Sequence, residues 1–145
     1  MIKRLKKKNI IDIFESITRI KDRYRELYIT QNKNRIFLNN MKLIEKLMKR
    51  QEFYGVFNKQ LEGLFLIYHE KGYRTYLKFL CSNIKYSKDL LKYIKWNFAA
   101  QELFIKFKKN NPLARLFQDN GFRFRGDRGE EILLMKPKYE NKNRR

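Results

Sequence analysis

Residues 110–122, Asn-Asn-Pro-Leu-Ala-Arg-Leu-Phe-Gln-Asp-Asn-Gly-Phe, constrain the fold more than any other stretch, because both ends of a short helix are written into them. Asn110 or Asn111 caps the start, and Pro112 suits a first helical position, where no backbone donor is needed. Leu113, Leu116 and Phe117 fall at i, i+3 and i+4, one apolar stripe. Gly121 is placed to end the helix with a positive φ. Runs with strand character lie on both sides, Glu102 to Lys108 before and Phe122 to Arg125 after. A strand, a helix of two turns and a returning strand need a sheet to pack on.

Upstream the apolar period changes more than once. Ile2 to Lys6 alternates apolar and basic, a short strand. From Asn9, the residues Ile10, Ile13, Phe14, Ile17, Ile20, Tyr24 and Leu27 or Tyr28 keep helical spacing, which predicts one long amphipathic helix. Thr30 to Arg35 is polar and reads as a loop. Asn39 or Asn40 then caps a second helix, with Met41, Leu43, Ile44, Leu47 and Met48 on its apolar side. Past Gln51 three strands follow: Phe53 to Asn58, Gly63 to Tyr68 and Tyr73 to Cys81, the last two joined by the turn His69-Glu70-Lys71-Gly72. Asp89 to Phe98 is a helix with Leu90, Leu91, Ile94 and Phe98 on one side. Leu103, Ile105 and Phe107 alternate with Lys106 and Lys108 in the next strand. After the organising helix come Phe122 to Arg125, a turn through Gly126-Asp127-Arg128-Gly129, and Ile132 to Lys136. The fold class is α+β: a mostly antiparallel mixed sheet of about seven strands in the order β-α-α-β-β-β-α-β-α-β-β. Residues 1–136 form one domain, and 137–145 read as a basic flexible tail.

Charge bounds the partners. The chain has 35 Lys and Arg against 15 Asp and Glu, a net +20 over 145 residues. Such a field favours polyanions, whether nucleic acid, acidic protein surfaces or anionic lipid. An AT-rich genome with lysine as its common surface residue gives the same balance. The one cysteine, Cys81, excludes an internal disulfide framework and sits in an apolar run, as a buried thiol does. No run reaches the 18 or so apolar residues of a membrane span. The basic start leads into a helix pattern rather than a signal sequence, so a cytoplasmic or virion-interior protein is expected, not a secreted one.

The spacing of Asn110, Phe117, Gly121 and Phe122 resembles a pattern of the GNAT superfamily of N-acetyltransferases: Asn, six residues, Tyr, three residues, Gly-Phe. The whole element order, from Ile2 to about Lys136, is similar to that family's. The resemblance implies an acetyl-CoA site where the strand before the third helix splays from its neighbour, with the pyrophosphate on a Gln/Arg-x-x-Gly-x-Gly/Ala turn. Phosphates bind there because a helix start offers free N–H donors and the positive end of its dipole. The implied cofactor-binding residues are Leu80, Cys81, Ser82, Lys85, Ser87, Lys88 and Asn110.

This sequence departs from that pattern three times. Lys85 and Ser87 stand at the two glycine positions, where side chains crowd a backbone cradle. Phe117 stands where the family has the Tyr that protonates the departing thiolate, and it has no proton to give. The strand Tyr73 to Cys81 carries no acid to serve as a base. Glu62 and Glu70 flank the middle strand, Tyr76, Tyr86 and Tyr93 lie off the motif, and a lone His69 in a turn reads as solvated. No catalytic residue and no metal ligand set is identified, and no cofactor is expected.

The expected function is therefore a catalytically degenerate, basic structural or binding component, contacting acidic protein surfaces or DNA. Gly121 to Lys136 is similar in layout to small virion and assembly proteins of short-tailed phages, which places it in a virion or its assembly beside other virion proteins. The candidate contact residues are Lys3, Arg4, Lys6, Lys7 and Lys8; Arg19 and Arg23, beside Lys21 and Arg25; and Arg123, Arg125 and Arg128. One alternative is a divergent acetyl-CoA-dependent N-acetyltransferase whose acceptor is an amine on an acidic partner. The other is a non-specific nucleic-acid binder that stacks bases on Phe122, Phe124, Tyr73 and Tyr76. Strand alternation argues against the latter, since it turns those aromatics inward and Arg123, Arg125 and Arg74 outward.

Overall fold

Apolar alternation past Gln51 produces a sheet that both faces of the protein pack against. The computed structural model describes residues 1–20, 28–31, 33–38, 40–69, 74–81 and 83–139. In chain order the elements are β1 (Ile2–Leu5), α1 (Ile10–Arg19), β2 (Tyr28–Gln31), β3 (Asn34–Phe37), α2 (Met41–Met48), β4 (Glu52–Asn58), β5 (Gln60–His69), β6 (Thr75–Cys81), α3 (Ile84–Asn97), β7 (Leu103–Lys108), α4 (Leu113–Asp119), β8 (Arg123–Arg128) and β9 (Glu131–Lys136). Seven strands make one sheet in the order β1-β4-β5-β6-β7-β9-β8, and β2 with β3 forms a separate hairpin. Within the large sheet only β6 and β7 run parallel. A parallel pair needs a crossover, and α3 supplies it.

Helices cover both faces, which is why β5 is buried continuously from Leu64 to Tyr68 instead of alternating. On one face Ile13 and Ile17 of α1 and Ile44 and Leu47 of α2 pack on Phe53, Leu64, Leu66 and Tyr76. On the other, Leu90, Leu91 and Ile94 of α3 and Phe117 of α4 pack on Phe65, Ile67, Phe79 and Phe107. Each such side chain contributes roughly 1.5–3 kcal/mol of burial. No helix among the described residues is long and apolar enough to cross a membrane.

Five boundaries differ from the sequence reading, each for a physical reason. Helix α1 ends at Arg19, because Ile20 leaves the helix with an extended ψ of 107° and buries its side chain in the core; Tyr24 and Leu27 lie outside the described residues. The expected loop from Thr30 to Arg35 is instead the β2–β3 hairpin. Half of its strand residues are polar, but Ile29 is buried, Ile36 packs on the core, and Tyr28 meets Phe37 ring to ring at 5.6 Å. Helix α3 begins at Ile84 rather than Asp89. Ser87, Leu90, Leu91 and Ile94 form its buried stripe, and a serine in the first place hides the helical period from an apolar count. The last hairpin turns at Gly129-Glu130, not through 126–129, with Asp127 Oδ1 accepting from Gly129 N and Gly129 at φ +80°. The register slips between Phe124 and Gly126, a bulge on an edge strand, and Phe124 is 55% exposed rather than inward. Gly121 has the positive φ that the sequence required, +96°.

Past β9 the chain folds back on α3's far end. Tyr139 N donates to Ala99 O at 2.9 Å. Lys136 is 1% exposed, and its Nζ donates to Gln101 O (2.6 Å) and Pro137 O (3.0 Å) beneath the Tyr139 ring. Burial pushes its pKa down to about 8. Residues 140–145 of the expected tail lie outside the described residues.

Candidate active site

Only two residue pairs, Tyr76↔Phe104 and Leu77↔Ile105, join β6 to β7. Beyond them β6 stays with β5 as far as Cys81↔Gly63, while β7 stays with β9 as far as Lys108↔Glu131. A wedge therefore opens past Leu77 and Ile105, where residues 79–81 of β6 and 107–108 of β7 form no ladder pair with each other. Unpaired edge backbone inside a sheet is costly unless something else hydrogen-bonds it.

On the α3–α4 face Phe117 spans the wedge. Its ring meets Phe79 of β6 and Phe107 of β7 edge-on, each at 4.9 Å, and Phe122 at the same distance. At 0% exposure it acts as packing that ties the two diverging strands to α4. Asn111 rather than Asn110 starts this helix, its Oδ1 accepting from Leu113 N at 3.0 Å; Asn110 is exposed in the preceding turn.

The start of α3 closes the wedge's far end. Asn83 caps it: its Oδ1 accepts from Lys85 N (2.8 Å) and Tyr86 N (3.4 Å), two donors that a phosphate would otherwise take. Ser87 is turned inward, its Oγ donating to Asn83 O at 3.0 Å, and Cys81 Sγ donates to the same carbonyl at 3.3 Å. Burial pushes the Cys81 thiol pKa up, so it is not a ready nucleophile. Leu80 is buried toward α1 and α2. Lys85 and Lys88 are exposed at the helix's positive end, and Ser82 lies outside the described residues.

On the α1–α2 face a cavity of about 70 Å³ sits against Leu77, where the pairing stops. Lys78 of β6, Lys106 of β7 and Arg35 of β3 bring three cations to it, and Glu131 at the start of β9 brings one carboxylate. Tyr28 and Tyr68 complete its aromatic lining. The cations lie over rings: Arg35 at 4.5 Å and Lys78 at 5.3 Å from the Tyr28 centroid, Lys106 at 4.8 Å from Tyr76. The sequence reading passed over this group because its members are scattered from residue 28 to 131. Two signals were present. Lys78 interrupts an otherwise apolar central strand, where a lysine is rarely buried. Glu131 shares the face of Leu133 and Met135 by simple alternation.

The other candidates are placed elsewhere. Tyr86 OH accepts from Asn58 Nδ2 at 2.6 Å, Tyr93 belongs to a ring cluster with Tyr54, Phe65 and Phe98, and Tyr76 stacks on Tyr68 in the core. His69 is exposed with Nδ1 3.3 Å from Thr75 Oγ1, Glu62 is half-buried on β5, and Glu70 lies outside the described residues. Lys3, Arg4 and the basic run Lys6, Lys7 and Lys8 sit at the β1 edge of the sheet, while Arg123, Arg125 and Arg128 sit on β8, the opposite edge. Arg4 faces Glu52 (3.5 Å), Lys7 faces Glu45 (3.9 Å), and Arg19 donates to Leu61 O at 2.6 Å. Lys21, Arg23, Arg25 and Tyr73 are outside the described residues. Among the described candidates, the β1 and β8 groups stand on opposite edges of the sheet.

No family model and no curated protein matches the chain. Solved structures do. An N-acetyltransferase from Staphylococcus aureus Mu50 superposes with a TM-score of 0.71 at 15% identity, covering 94% of this chain and 96% of its own. The PaiA N-acetyltransferase of Thermoplasma acidophilum, solved with coenzyme A, gives 0.66 at 16%, with 96% and 98% covered. A spermidine N-acetyltransferase from Vibrio cholerae gives 0.65 at 12%, with 99% and 98% covered. This chain has the GNAT fold. Each of these matches covers more than nine-tenths of both chains.

Proposed function

We propose that this chain is a divergent N-acetyltransferase that uses acetyl-CoA. The observation that carries this reading is the open wedge. Residues 79–81 of β6 lie past the end of the β6–β7 ladder, which suits an extended, amide-bearing pantetheine arm that hydrogen-bonds like a strand. The phosphate end fits by charge, through exposed Lys85 and Lys88, and less well by backbone, since Asn83 holds two of the helix donors. When bound, acetyl-CoA supplies an acetyl thioester: an acceptor amine forms the N–C bond, the C–S bond breaks, and the thiolate leaves and takes up a proton.

The chain's own part is positioning and proton handling. Glu131 is the carboxylate at the cavity beside the wedge, and it takes the proton that the amine gives up. Phe117 keeps water out of the α4 side of the wedge but gives no proton, so solvent protonates the departing thiolate. Catalysis is accordingly weaker than with a placed acid, by about 10²–10⁴-fold.

The test is a calorimetric titration of the full chain with acetyl-CoA at moderate salt, alongside Lys85→Glu/Lys88→Glu and a thiol-release assay with mixed amines. One-to-one binding that the double variant loses, together with thiol release that Glu131→Gln abolishes, is the expected result. Absence of heat at millimolar acetyl-CoA overturns the reading. Asn83's occupation of the helix donors and the buried Phe117 favour a second reading, a basic binding component without catalysis, and that negative result would select it. Its partners would be acidic protein surfaces or DNA, and a virion setting belongs to this second reading alone.

A further inference from the structure

From the cavity beside the wedge we infer the class of acceptor: an amine borne on an anionic molecule, such as the amino terminus of an acidic peptide, and not a polycation. This rests on the acetyl-transfer reading above. Three cations and one carboxylate converge there from β3, β6, β7 and β9, a net of two positive charges among the described lining residues. Lys78 is 9% exposed, and charges withdrawn from water act over short range with less screening than surface charges.

The same cations suit the chemistry. An amine attacks only when unprotonated, and neighbouring positive charge lowers the pKa of an ammonium group. Lys78, Lys106 and Arg35 would thus hold the acceptor's carboxylate and at the same time favour the free amine beside it, with Glu131 receiving its proton. A polyamine has the opposite fate, because its further ammonium groups meet like charge. The +20 chain attracts any anion at long range, so the distinguishing property of this site is locality: its effect depends on these side chains and not on total charge.

The experiment titrates the full chain calorimetrically, without cofactor, with a free-amino tri-aspartate peptide and with spermidine. Three proteins are compared: wild type, Arg35→Glu/Lys106→Glu, and Lys42→Glu/Lys49→Glu, a remote pair with the same change in net charge. The peptide is expected to bind about tenfold or more tighter than spermidine, and to lose about tenfold in the cavity variant but little in the remote one. Should the cavity double variant fail to fold, Lys106→Gln carries the same comparison. Equal or tighter spermidine binding, or equal losses in the two double variants, overturns the proposal. Peptide binding lost only in the cavity variant, in a chain that gives no heat with acetyl-CoA, overturns acetyl transfer and keeps the anion site. Acetyl-CoA binding without the peptide preference overturns the acceptor class and leaves acetyl transfer standing.

Discussion

Lys136 is held in an environment far from a lysine's ordinary one. Its ammonium is buried under Tyr139 and donates to two carbonyls, and its pKa falls to about 8 while the unfolded value is 10.5. Between those values the unfolded chain binds more protons than the folded one, so this group makes stability rise with pH through the window from about 8 to about 10.5. Below it, the folded state carries the cost of a desolvated charge. Lys136→Met should remove that dependence. Urea unfolding at pH about 8 and about 10 is expected to show a rise in stability on the order of 1 kcal/mol greater in wild type than in the variant. Equal slopes would mean that the ammonium is in effect solvated.

At the scale of elements, the start of α3 sets two properties against each other. Asn83→Ala deletes the cap and should cost about 1 kcal/mol of stability. It also releases the Lys85 and Tyr86 N–H groups, so acetyl-CoA affinity should rise several-fold as the melting temperature falls; a fall in both would make Asn83 part of the binding cradle. The main elements were legible in the sequence because strong alternation, as in Leu103, Ile105 and Phe107, or paired end signals, as in Pro112 and Gly121, leave little choice of structure. The β2–β3 hairpin was not, since its strands are only four residues each and Thr30, Gln31, Asn34 and Arg35 lie together at its turn. Ser87 concealed the first turns of α3 by being small, buried and hydroxylated at once. For the site, sequence reasoning found the missing glycines and Phe117 through motif spacing. It did not find Lys78, Lys106 and Glu131, because they are neighbours only once β6, β7 and β9 lie side by side.

For the molecule as a whole, the net charge is +20, and among the described residues basic side chains stand on both edges of the sheet, at β1 and at β8. Dispersed like charge raises the energy of the compact state more than that of the expanded chain. Added salt should therefore stabilise this protein: between about 0.02 M and about 0.5 M sodium chloride the Debye length shortens several-fold and the melting temperature should rise. A flat or falling melting temperature would show that local ion pairs such as Arg4–Glu52 outweigh the general repulsion. The sheet itself divides unequally. β1, β4, β5 and β6 form one antiparallel ribbon, β7, β9 and β8 another, and two residue pairs stitch them together. Such a seam is where the molecule parts first, and amides along it should exchange with solvent before those within either ribbon. A guest lodged in the seam touches both ribbons, so it acts as mortar as well as ligand: binding and cohesion become one free energy.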